Sequence, residues 1–120
     1  MTASDDQLVR AVDQLVDHVG HWTQARWTTA AGGAGRPARA GGADGGHRTR
    51  AEVVHALAQR LADLEAEVTE RPRRPVPRLA NDLALPDQVR VMTLDIVAVP
   101  PGPDILAAAV DAVNEALHNL

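Results

Sequence analysis

Residues 4–22 read SDDQLVRAVDQLVDHVGHW, and the spacing of the large apolar side chains in that stretch decides the fold. Leu8, Val12, Leu15, Val19 and Trp22 follow one another at steps of four, three, four and three. At about 100° of rotation per residue, those steps keep one face of a helix apolar. Arg10, Asp13, Asp17 and His21 fall on the opposite face. Ser4 is a good N-cap, and Asp5 and Asp6 favour the positive end of the helix dipole. A first helix is therefore expected over residues 4–27.

The same steps recur further along. Val54, Leu57, Leu61, Leu64 and Val68 form a second stripe within a helix over 49–70, opened by a capping box of Thr49 and Glu52. Leu85, Val89, Met92, Ile96 and Val99 form a third over 86–99, with Pro86 at a favoured first-turn position. Val89, Val91, Thr93, Ile96, Val97 and Val99 are β-branched and would also suit a strand, but the helical spacing decides for a helix. Its apolar content on two faces predicts the most buried helix of the four. Leu106, Val110, Val113, Leu117 and Leu120 form the fourth stripe over 103–119, after the Pro100-Pro101-Gly102 stop. The expected fold is all-α: one domain, residues 1–120, as an antiparallel up-down four-helix bundle. In that topology the basic connector and both termini share one end.

Two connections differ in kind. Residues 30–48 are almost entirely Gly and Ala with scattered Arg, and no side chain there offsets the entropy of ordering the backbone, so a long flexible loop is expected between the first two helices. Residues 71–78, Arg-Pro-Arg-Arg-Pro-Val-Pro-Arg, contain three prolines that exclude a helix and favour a stiff, extended connector.

Composition narrows the function. There is no cysteine, so disulfides, thiolate metal sites and cysteine nucleophiles are excluded. The N-terminal residues lack the pattern of a signal peptide, and no apolar run is long enough to span a bilayer, so a cytoplasmic protein is expected. All twelve basic residues are Arg, which with the abundant Ala, Gly and Val indicates a GC-rich genome of actinobacterial type. The net charge of −4 is unevenly spread: −4 over residues 51–70 and −5 over 82–120, against +4 over 71–81. Acidic helices disfavour nucleic acid, whose binding depends on neutralising phosphates.

Four groups of residues could carry chemistry or recognition. Glu52-Val53-Val54-His55 has the Glu-x-x-His spacing of half a di-iron site, but it occurs once and lies off the apolar stripe. His18 and His21, beside Asp17, could share a metal, although their rings diverge around the helix and His18 is placed to pack on Trp22. Trp22 continues the first stripe; Trp27 lies beyond it and either caps the core or stands out as a binding anchor. Arg71, Arg73, Arg74 and Arg78 flank a Pro-x-x-Pro that could meet an aromatic groove or an acidic partner, or could lie against Glu65, Glu67 and Glu70 as a linker.

Thr49-Arg50-Ala51-Glu52-Val53-Val54-His55-Ala56-Leu57, preceded by a helix ending in Trp, resembles a segment of the DinB-like, mycothiol-dependent maleylpyruvate isomerase domains. The resemblance covers about a tenth of the chain. It implies a four-helix bundle and, in the family, a metal-dependent enzyme acting with a thiol cofactor. The family's ligand histidine would fall at Ala56, with His55 one residue early, and no His-x-x-x-His follows, so the metal pattern is not retained. The expectation is a non-enzymatic helical protein without cofactor, acting by protein partnership or self-association through Trp27 and the arginines of the connector. The alternative is a small DinB-like enzyme using His18, His21 or His55.

Overall fold

The computed structural model describes residues 3–30 and 48–120. Within them the chain is all-helical: α1 (Ala3–Val19), α2 (Gln24–Trp27), α3 (Arg50–Thr69), α4 (Leu85–Ala98) and α5 (Pro103–Asn119), with a single 3-10 turn at Asp82–Ala84. The β-branched residues Val89, Val91, Thr93, Ile96 and Val97 thus lie in a helix and not in a strand, and Val99 is its C-cap. Most of the glycine-rich connector lies outside the described residues. At its base, Ala30 and Thr49 pair across an antiparallel bridge, and the Arg50 amide donates to the Thr29 carbonyl at 2.9 Å.

The first helix is shorter than the apolar spacing predicts. The Gly20 amide closes the last turn of α1 on the Val16 carbonyl at 2.7 Å, and a Cβ at Gly20 would sit only 2.8 Å from that oxygen. The chain then leaves the helix, and the Thr23 side chain caps a new turn by accepting from the Arg26 amide at 3.3 Å. This break redirects Trp27, which an unbroken helix would carry off the stripe.

The stripes form the core. Leu8, Val12, Leu15, Val19 and Trp22 of the first, Val54, Leu57, Leu61 and Leu64 of the second, Leu85, Val89 and Ile96 of the third, and Leu106, Val110 and Val113 of the fourth are all buried in one cluster. At roughly 1.5–3 kcal/mol per fully buried aliphatic side chain, this cluster is the main source of stability.

The packing order departs from an up-down-up-down bundle. α1 packs on α4 and α5, and α3 packs on the same two, whereas among the described residues neither α1 with α3 nor α4 with α5, both required by alternation, is a principal pair. Contacts along the axes set the directions. Gln24, past the end of α1, binds Asp82 just before α4, and Asp13 meets Arg90 midway, so α1 and α4 are antiparallel. Arg50 at the start of α3 donates to the Leu120 carbonyl past the end of α5, so these two are antiparallel as well. Gln7 lies beside Pro103 and Leu106, whereas His18 lies beside Leu117, so α1 and α5 run in parallel. α3 and α4 therefore also share a direction, opposite to α1 and α5. The expected alternation fails because the eleven residues 71–81 are extended. At about 3.1 Å per residue they span roughly 34 Å, enough to return along the whole of α3 before α4 begins. The start of α1 and the end of α5 accordingly lie at opposite ends of the bundle and not at one.

Candidate functional site

The four sequence-designated groups come apart in space. Trp27 is fully buried, with its ring 5.0 Å from that of Trp22 in an edge-to-face arrangement. It closes the end of the core and offers no exposed anchor. Trp22 in turn receives the His18 ring at 5.7 Å and lies beneath the guanidinium groups of Arg26 at 4.9 Å and Arg50 at 5.7 Å. Arg50 also reaches the Thr29 hydroxyl. These contacts tie the end of α1, α2, the start of α3 and the chain's last residue into one capping cluster.

The connector is a packed crossover. Val76 is 7% exposed and belongs to the core cluster. Its amide donates to Gln59 Oε1 at 2.7 Å, its carbonyl lies 2.9 Å from His55 Nε2, and Gln59 Nε2 donates to the Arg74 carbonyl at 2.9 Å. Gln88 Nε2 binds the Pro77 carbonyl at 3.1 Å. An extended, proline-rich strand has backbone groups with no helical partner, and Gln59, His55 and Gln88 supply them. Arg71 pairs with Glu65 at 3.2 Å, Arg73 with Glu67 at 3.6 Å and Arg78 with Asp82 at 2.9 Å. The first two pairs are largely solvated and contribute little, typically under about 1 kcal/mol each. Val76 and the glutamine clamp hold the segment down. Three of the four arginines proposed for partner binding are thus turned toward their own fold, and Arg74 alone has no ion pair among the described residues.

Asp82 is buried and is the most highly connected acid. Burial, the largest single influence, would raise its pKa, but hydrogen bonds from Arg78 and from Gln24 at 2.8 Å, with the charge of Arg78, outweigh it and hold the carboxyl below its ordinary value. Glu52 is also held low, chiefly by the Thr49 backbone amide at 2.8 Å; with Thr49 Oγ1 accepting from the Glu52 amide at 3.1 Å, the expected capping box is formed.

The three candidate histidines do not converge on one point, although His18 and His21 border the same open hollow with Asp17. His18 packs edge-on against Trp22, His21 is exposed past α1, and His55 is engaged with the crossover on α3. Among the described residues, no three His, Asp or Glu side chains gather to hold a metal ion. Ala56, where the DinB-like resemblance would place a ligand, lines an open groove of about 440 Å³ between α3 and α5 with Val53, Arg60, Ala108, Asp111 and Ala112.

The exposed apolar residues are the feature that sequence reading missed. Helix α4 is not the most buried helix: Val91 is 51% and Leu94 63% exposed, with Leu79 and Leu83 exposed just before it. The double-faced apolar pattern was the available signal. It marked an inner face, Leu85, Val89 and Ile96, and an outer one facing water.

No family model, curated protein or solved structure matches the chain. Among the described residues no helix is long and apolar enough to cross a membrane.

Proposed function

We propose that this chain is a non-enzymatic association protein of the cytoplasm, a four-helix bundle that presents the outer face of α4 to a protein partner. The observation that carries this reading is the pair Val91 and Leu94, one helical turn apart and more than half exposed. Single exposed aliphatics are ordinary, but a run of them on one helix face marks an interaction surface. The reading moves the partner surface away from Trp27, Arg71, Arg73 and Arg78, which are engaged within the fold.

Cysteine accessibility tests it, since the chain has no cysteine of its own. A Leu94→Cys variant in intact cells of its source should react with a maleimide markedly more slowly than Ala107→Cys, an exposed position on α5. Equal labelling rates would show that α4 stays uncovered and would overturn the proposal.

A further inference from the structure

From the outer face of α4 we infer that its partner is a second copy of this chain, paired α4 to α4 in parallel about a two-fold axis along the helix. This rests on the reading of that face as an association surface.

The register comes from the residues themselves. Val91, Leu94 and Ala98 follow at steps of three and four, the a, d, a positions of a heptad. A β-branched residue at a with leucine at d is the combination that favours two parallel strands. The same heptad puts Ile96 and Val89 at the outermost position f, and both are buried against α1 and α3, so the seam and the core use opposite sides of α4.

Charge complementarity selects the partner. Arg90 occupies g and Asp95 the e position five residues later, which is the offset at which g of one strand meets e of the other in a parallel pair. Both are exposed. Arg90 lies on the α1 side, where it touches Asp13 at 3.4 Å, and Asp95 lies on the crossover side, beside Arg71 and Arg74. A two-fold axis along α4 sets the α1 side of one copy against the crossover side of the other, so Arg90 meets Asp95 of the second copy twice over. An isologous contact requires such self-complementarity. In an antiparallel pair, with Val91 set against Leu94 of the second copy, g faces g and e faces e, so Arg90 and Asp95 lie on opposite flanks and do not meet. In the parallel pair Asp87 falls at d one heptad earlier, so the seam ends there and stays short.

Sedimentation equilibrium of the full chain tests the pairing. The wild type should show a concentration-dependent doubling of mass. Asp95→Arg should weaken it about tenfold or more, because each reversal turns two attractions into repulsions. Combining it with Arg90→Asp should restore pairing. Leu94→Cys should oxidise to a disulfide-linked dimer across the axis, which the antiparallel pairing of Val91 with Leu94 does not allow. A chain that stays monomeric at all concentrations while position 94 is still protected in cells overturns the second copy as partner and leaves the association reading standing. A dimer indifferent to Asp95→Arg, or one that fails to cross-link at position 94, overturns the parallel register. A monomer with position 94 freely reactive in cells overturns both readings.

Discussion

Trp27 shows how spacing can leave two places open for one side chain, a cap on the core or an exposed anchor, of which the structure takes the cap. A tryptophan off the apolar stripe and next to a glycine-rich stretch looks like an exposed anchor, yet the break at Gly20 and the Thr23 cap turn it inward. Sequence spacing cannot show this, because it assumes the helix continues. Its ring is fully buried and its Nε1 has no hydrogen-bond partner among the described residues. Trp27→Ala should therefore cost about 3–5 kcal/mol in denaturant unfolding, whereas Trp27→Phe should recover most of that, since no indole hydrogen bond is lost. Asp82 makes the complementary case for a polar residue. Its folded pKa is lowered, so its stabilising contribution is fully present above the ordinary aspartate value of about 3.9 and is lost as the pH falls through the lower folded value. Asp82→Asn should lower stability at neutral pH by about 1–3 kcal/mol, the scale of hydrogen bonds to a charged group, and the difference from wild type should shrink in acid. Thermal melts of both proteins from neutral pH to below 4 check the sign.

Helix starts were the most legible elements. Thr49 and Glu52 form the capping box their spacing announces, and Thr49→Ala should cost about 1 kcal/mol in unfolding free energy, with the loss confined to the first turn of α3 in hydrogen exchange. The Arg-Pro connector was legible in conformation but not in role. Its prolines predict an extended strand, and it is extended; nothing in its spacing says that Val76 enters the core or that Gln59, a residue on an otherwise unremarked part of α3, clamps it on both sides. That clamp is long-range in sequence and leaves no periodic signal. Gln59→Ala removes two hydrogen bonds to the crossover backbone and should cost about 1–3 kcal/mol. Limited trypsin digestion is the direct readout, because the Arg73–Arg74 bond, which no proline follows, becomes able to enter a protease cleft once the segment lifts. Unchanged cleavage after Arg73 in Gln59→Ala would show that Val76 alone suffices to dock the segment.

At the scale of the molecule, the all-α class was readable from four apolar stripes, and the order of the helices was not. Spacing reports which face of each helix is apolar, and it carries no information on which helix that face meets. The topology turned on connector length: eleven extended residues return the chain along α3 and make α3 and α4 parallel. That arrangement leaves α4 with neighbours on its inner side and on both flanks but nothing described over its outer face. The apolar residues counted on two faces of this helix therefore divide between core and surface, and the proposed association surface is the half that the core does not use. Thermal stability follows from this by mass action, because a dimer formed only by folded chains raises the melting temperature as concentration rises. Calorimetry over increasing protein concentration should show that rise in the wild type. A Val91→Glu, Leu94→Glu double variant should lose it while melting as the wild type does at high dilution, since both side chains are already exposed in the single chain. If the double variant instead melts lower at every concentration, these two residues support the fold itself, and the outer face of α4 is part of the core's stability and not a surface held free for association.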